Sequence, residues 1–153
     1  MTTKKLFAVI AFALTSCVEQ ENLNYSYIDP KLEKYFQLFI NEAKQRNIPI
    51  YINNPKLKLG TISGASGITI RKKEMIIIDS LSDAWTTQPE QLLFHELGHL
   101  YLHRDHDNSI NEKGQPKSIM NQYRLPLYDY LGGDFMPILG ERKKFIDELF
   151  STI

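Results

Sequence analysis

Apolar and polar residues follow one another in three ways along this chain, and each way marks a kind of element. Leu6 to Leu14 is unbroken and apolar, a run too short to span a bilayer as a mature helix. From Leu32 the spacing becomes helical. Leu32, Tyr35, Phe36, Phe39, Ile40 and Ala43 recur on one face with Lys and Glu on the other. Asp29-Pro30 opens this helix, Asp as N-cap and Pro at the first helical position, and Arg46-Asn47 marks its expected end. Ile48-Pro49-Ile50-Tyr51-Ile52 then reads as a strand with Pro near its start, followed by a turn at Asn53-Asn54-Pro55. Leu57, Leu59, Ile62, Ile68 and Ile70 suggest one or two short strands around a Gly/Ser turn, because Gly60, Gly64, Ser66 and Gly67 interrupt them. Arg71-Lys72-Lys73-Glu74 is a charged turn. Met75-Ile76-Ile77-Ile78-Asp79 is the strongest strand signal in the chain, expected to be central and buried on both faces. Thr87 and Glu90 have the spacing of a capping box. The helix they would open puts Leu92, Leu93, Leu97 and Leu100 on its core face. Gly140 to Phe150 is amphipathic, with Phe145, Ile146, Leu149 and Phe150 inward and Arg142, Lys143, Lys144 and Glu148 outward.

The first 28 residues change where this domain is expected to reside. Lys4 and Lys5 precede the apolar run, and the run ends in Leu14-Thr15-Ser16-Cys17. This is the layout of a secretory leader, and its end resembles the lipobox of bacterial lipoproteins, in which a lipidated cysteine becomes the new N-terminus. The resemblance implies a signal peptide over 1–16 and a membrane anchor at Cys17, in the bacterial cell envelope. An ordinary signal peptide cleaved near Ser16 is the alternative. Cys17 is the only cysteine, so no disulfide within the chain is possible. Residues 17–28 read as a tether and 29–153 as one domain, long enough to bury its own core. Without Lys4 and Lys5 the chain carries 16 basic residues against 18 acidic ones. No run of one charge is long, so nucleic acid is not an expected partner. A monomer is expected.

The candidate chemistry lies on the helix after the capping box, in His95-Glu96-Leu97-Gly98-His99. At 3.6 residues per turn His95 and His99 share a face about one turn apart. Two imidazoles so placed can bind one Zn²⁺, with Glu96 beside the water that the metal activates. A catalytic zinc site needs three protein ligands and one open position. His103 continues the same column, but it lies about 12 Å along the axis from His95 at 1.5 Å per residue. The chain must therefore turn before a third ligand can return.

Here the sequence resembles the metzincin peptidases, whose His-Glu-x-x-His-x-x-Gly-x-x-His motif breaks the helix at Gly and brings the last His back to the metal. This chain has Leu102 where the family has Gly and Asp105 where it has the final His. One register places the turn at His103, a residue type that tolerates positive φ better than Leu, and makes His106 the third ligand. The other keeps the family register, makes Asp105 the ligand as in snapalysin-like enzymes, and forces Leu102 into a left-handed conformation that costs about 1–2 kcal/mol. A gluzincin-type site would instead draw a Glu from downstream, with Glu112 and Glu141 as candidates. Ser118-Ile119-Met120 resembles the Met-turn of metzincins, whose thioether supports the histidine rings. Tyr123 follows this Met three residues on, where astacins place a tyrosine two residues on. Leu125-Pro126-Leu127-Tyr128 is a candidate wall of the substrate pocket, and Gly132-Gly133-Asp134 marks a further loop.

The resemblance implies a small α+β domain: a mixed twisted sheet, an N-terminal helix, the motif helix, a Met-turn and a C-terminal helix. It implies a zinc endopeptidase acting on a peptide or protein, with His95, His99 and His106 on the metal and Glu96 as general base. The substrate would lie extended along a free sheet edge. The rival expectation is a surface lipoprotein that binds zinc or a partner without turnover.

Overall fold

A computed structural model describes residues 26–126 and 139–151 of the chain. The leader, Cys17, Leu127-Tyr128 and Gly132-Gly133-Asp134 lie outside the described residues. Within them the protein is a small α+β domain, with a mixed four-stranded sheet and four α-helices.

The first helix, α1 (Pro30–Gln45), starts as expected, with the Asp29 carboxylate accepting from the Lys31 amide at 2.9 Å. It ends in a Schellman arrangement. Asn47 takes φ 57°, and the Asn47 and Ile48 amides donate to the Lys44 and Ala43 carbonyls. That cap spends the Ile48 amide, and Pro49 has none to give. The expected strand over Ile48–Ile52 does not form: Ile48 and Ile50 lean on the core, while Tyr51 is 86% exposed. Tyr27–Ile28 takes the sheet edge instead as β1, so the last two residues of the expected tether belong to the domain.

The sheet runs β1, β2 (Lys56–Gly60), β4 (Met75–Asp79), β3 (Gly67–Ile70). β1, β2 and β4 are parallel, and β3 is antiparallel to β4 at one edge. β4 is central as its composition predicts, with Ile76 and Ile78 fully buried. The Arg71–Lys73 turn between β3 and β4 closes with Glu74 at φ 47°.

The capping box at Thr87 and Glu90 is absent. Ser82 caps a separate short helix, α2 (Asp83–Thr87), and α3 (Pro89–Tyr101) begins anew at a proline. Glu90 turns away to Arg142 of α4 (Leu139–Phe150), Nε to Oε1 2.7 Å, and Arg142 also reaches Glu42 of α1 at 2.7 Å. Arg142 is thus a half-buried cross-link between three helices and not an outward residue. Burying Glu90 without a cation would be expensive, and this is the physical reason for the departure. Glu148 likewise binds Arg104 at 2.6 Å instead of facing water. The core lies between the sheet and the helices. Phe39 packs edge-on against Phe94 and tilts against Phe150, and Ile146, Leu149, Ile119 and Met120 complete it without exposure.

Candidate metal centre

Helix α3 holds its two histidines one turn apart, and its end decides what joins them. Leu102 is the C-cap at φ −100°, and the left-handed residue is His103 at φ 53°. The Leu102 and Arg104 amides both donate to the Gly98 carbonyl, at 3.2 and 3.1 Å, which satisfies the helix end while the chain reverses. Leu102 keeps a conformation that suits a β-carbon, and the turn falls one residue later than in the metzincin pattern.

The reversal returns His106 to the helix face. His99 Nε2 lies 3.1 Å from His95 Nε2 and 3.1 Å from His106 Nε2. The ligand atoms of His95, His99 and His106 all fall within 4.8 Å of one another; His95 is buried, His99 half-buried and His106 exposed. Asp105 stays outside this group, 96% exposed and 3.7 Å from the Arg71 guanidinium. Among the described residues, His103, Glu112 and Glu141 also lie outside it.

The outer nitrogens decide the protonation of the inner ones. His95 Nδ1 donates to the Ile119 carbonyl at 2.8 Å and His99 Nδ1 to the Arg104 carbonyl at 2.7 Å. In the neutral rings the proton is therefore on Nδ1, and the Nε2 lone pairs face one another. Burial holds both rings in that neutral form. It depresses His95 to about 4, against the carbonyl of Ile119, which favours the charged ring. Burial lowers His99 as well, with His106 and Arg71 adding to the effect. Two neutral imidazoles placed lone pair to lone pair at 3.1 Å repel unless a cation sits between them. Tetrahedral coordination at 2.0–2.1 Å places ligand nitrogens about 3.3–3.4 Å apart, close to the spacing seen here. The three histidines can thus hold one metal ion.

Glu96 lies beside this cluster and packs on the β3 edge. Its Oε2 accepts from Thr69 Oγ1 at 2.6 Å. Burial is the main influence on its carboxyl and raises it to about 7, although the Thr69 bond pulls the other way. Gly67 makes room for it: a β-carbon there would sit 2.5 Å from Glu96 Oε1. Arg71 fastens the far end of β3 to the site by donating from Nε to the His99 carbonyl at 2.8 Å.

Below the histidines, Ser118 to Asn121 forms a tight turn in which Ser118 Oγ accepts from the Met120 amide at 2.9 Å. Met120 is fully buried, and its sulfur packs so closely on Gly98 that a β-carbon at Gly98 would lie 2.7 Å from it. The turn holds His95 through the Ile119 carbonyl and packs its thioether on Gly98 of the same helix. Tyr123 is 80% exposed at the cleft rim, and Leu125 is half-buried in the wall. The histidines and Glu96 open into a cleft of about 1100 Å³, bounded on one side by Gly64 to Thr69 and on the other by Asn121 to Leu125.

The motif pointed to His95, Glu96, His99 and His106, but not to Gly67, Thr69, Arg71 or the Ile119 and Arg104 carbonyls. No local signal marks those groups: Gly67, Thr69, Arg71 and Ile119 meet the site from other parts of the chain, and the Arg104 carbonyl reaches His99 only because the chain reverses at His103. Compared with protein-family models, with curated proteins and with solved structures, the chain matches none.

Proposed function

We propose that this protein is a zinc-dependent endopeptidase of metzincin-like design, anchored through Cys17 to the bacterial cell envelope. The observation that carries the reading is the convergence of three imidazole Nε2 atoms in an open cleft that also holds a buried carboxyl group. Three imidazoles are the ligand count of a catalytic site, whereas closed structural zinc sites use four protein ligands. Pure zinc storage has no need of Glu96 at the same spot.

Zn²⁺, when bound, lowers the pKa of a coordinated water and polarises a carbonyl oxygen. Glu96 takes the proton of the attacking water and passes it to the leaving amine, a role suited by a carboxyl group held beside the three histidines. Thr69 and Gly67 position Glu96, one by a hydrogen bond and the other by leaving space. β3 offers a free strand edge along the cleft, to which an extended peptide can add as a further strand. Leu125 and the aliphatic part of the cleft wall then receive an apolar side chain.

Zinc stoichiometry of the purified full-length chain tests this reading, with wild type beside His106→Ala and Asp105→Ala. One zinc per chain, lost in His106→Ala and kept in Asp105→Ala, is the expected result. Zinc lost only with Asp105→Ala would move the third ligand. No zinc in the wild type would leave a binding lipoprotein as the better description.

A further inference from the structure

One end of the domain gathers features that the peptidase reading does not use. β1, β2 and β4 all begin there, and antiparallel β3 ends there at Ile70, opposite Met75. The turn carrying Lys72 and Lys73 lies at this end with both side chains exposed. Lys56 opens β2 beside them; it is only 9% exposed, and its Nζ reaches a single carbonyl, that of Lys73, at 3.5 Å. Tyr51 and Ile52 project next to the lysines, 86% and 41% exposed. Between them lies a shallow cleft of about 540 Å³, into which Lys56, Lys72, Lys73, Tyr51 and His103 all face.

The counter-charges at this end are already engaged. The Glu74 carboxylate accepts from the Asn53 and Asn54 amides and from the Tyr101 hydroxyl. Asp105 faces Arg71, and Arg71 is in turn occupied by the His99 and Arg104 carbonyls. Lys56, Lys72 and Lys73 have no carboxylate partner among the described residues. The chain also enters the domain here: Ser26 precedes β1, and the Tyr27 amide bonds the Pro55 carbonyl at 2.8 Å.

We infer that this end, Tyr51-Ile52 with Lys72 and Lys73 and with the buried charge of Lys56 behind them, docks on an anionic phospholipid surface. The inference rests on the lipid anchor at Cys17. The nine residues 18–26 reach at most about 30 Å, so the anchor holds this end within that distance of the bilayer. Lysines at the tethered end then come repeatedly within the ~8–10 Å over which a charged bilayer is felt. An exposed tyrosine and isoleucine beside them suit the headgroup boundary. Docked this way, the peptidase cleft, which runs from Arg71 to the Gly64-Ala65-Ser66 turn at the opposite end, stands along the membrane normal with its far mouth open to extended chains.

The test uses the full-length lipidated protein in vesicles of phosphatidylcholine, with or without phosphatidylglycerol. Fluorophores are placed at Tyr51→Cys or at Leu81→Cys, an exposed residue just beyond the far end of β4, and a lipid-borne quencher reports contact. Cys17 carries the lipid, so each variant has one free thiol. Position 51 is expected to be quenched several-fold more than position 81 in anionic vesicles. The difference disappears in Lys72→Glu/Lys73→Glu, while zinc content and hydrolysis stay unchanged. Equal quenching at both positions on protein with lipid found at Cys17 by mass spectrometry overturns the inference and leaves the anchor standing. Absence of lipid at Cys17 overturns the anchor. Sedimentation of that unlipidated protein with anionic vesicles then decides the docking face: binding lost with Lys72→Glu/Lys73→Glu supports it, and no binding overturns it.

Discussion

His95 and Glu96 are neighbours in the chain and respond to burial in opposite directions. Burial favours the neutral form of each, so His95 falls to about 4 and Glu96 rises to about 7. In the metal-free protein, His95 contributes stability that is present above pH 6.5 and lost as pH falls towards 4. Glu96 contributes stability that is present below pH 4.5 and lost as pH rises through 7. The two slopes oppose each other in one window. Metal-free Glu96→Gln keeps the acceptor for Thr69 and removes the opposing slope. Its unfolding free energy is expected to climb between pH 4 and 6.5 by about 2–3 kcal/mol more than that of the wild type, measured by urea titration; parallel curves would contradict the burial argument. A second pair of variants separates holding metal from using it. Glu96→Ala is expected to keep one zinc and lose peptide hydrolysis by at least ~10²-fold. His99→Ala loses both, because His99 is the central nitrogen of the three. An active Glu96→Ala protein would sink the proposed mechanism.

At the scale of elements, the site depends on how β3 lies against α3. Thr69 and Gly67 alternate with Ile68 along the strand, so both face the helix while Ile68 faces away, 40% exposed. A β-carbon at Gly67 would approach three atoms of Glu96, the nearest at 2.5 Å. Gly67→Ala is therefore expected to push the carboxylate off its position and lower kcat/KM by roughly 10–100-fold, with zinc stoichiometry unchanged because no ligand moves. Loss of zinc, or unchanged kinetics, would show that Glu96 is not held by this contact. A second element contact ties the loop between His103 and His106 to α4. The Arg104 side chain donates to the Glu148 and Leu149 carbonyls at the end of α4, while its backbone carbonyl receives His99 Nδ1. One residue thus closes the last turn of α4 and orients a candidate ligand.

For the whole molecule, a bound ion would add a direct link between segments that otherwise meet through packing and a few hydrogen bonds. His95 and His99 belong to α3, whereas His106 sits on the loop whose Asp107 amide bonds the Met120 carbonyl at 3.0 Å. A metal bound by the folded state alone stabilises it by about 4 kcal/mol at a thousand times its dissociation constant. Chelation is accordingly expected to lower Tm by roughly 10 °C or more for a domain of this size, followed by scanning calorimetry and reversed by added zinc. An unchanged Tm would mean that the histidines hold no ion in solution. The Arg142 cross-link to Glu42 and Glu90 should survive chelation, because it joins α1, α3 and α4 away from the metal.

What the sequence determined by itself was local. The Asp29-Pro30 start of α1, the buried strand at Met75–Asp79 and the one-turn spacing of His95 and His99 with Glu96 between them follow from helical and extended periodicity and from caps made by adjacent residues. The sequence also confined the third ligand to a few positions, since the chain must turn soon after Tyr101. Tertiary structure chose among those positions. His103 takes the left-handed turn because Gly98 can receive two amides across it, and this carries His106 back to His99 and leaves Asp105 outside the group. It also placed Tyr27–Ile28, and not Ile48–Ile52, at the sheet edge, because α1's C-cap and Pro49 leave the latter segment too few free amides. Thr69 and Gly67 behind Glu96, the Ile119 carbonyl on His95, Arg142 between buried carboxylates and Lys56 beside Lys73 are all pairings across more than a dozen residues. They depend on which donors and surfaces remain free once the helices and strands have packed, and that is settled only when the chain is folded.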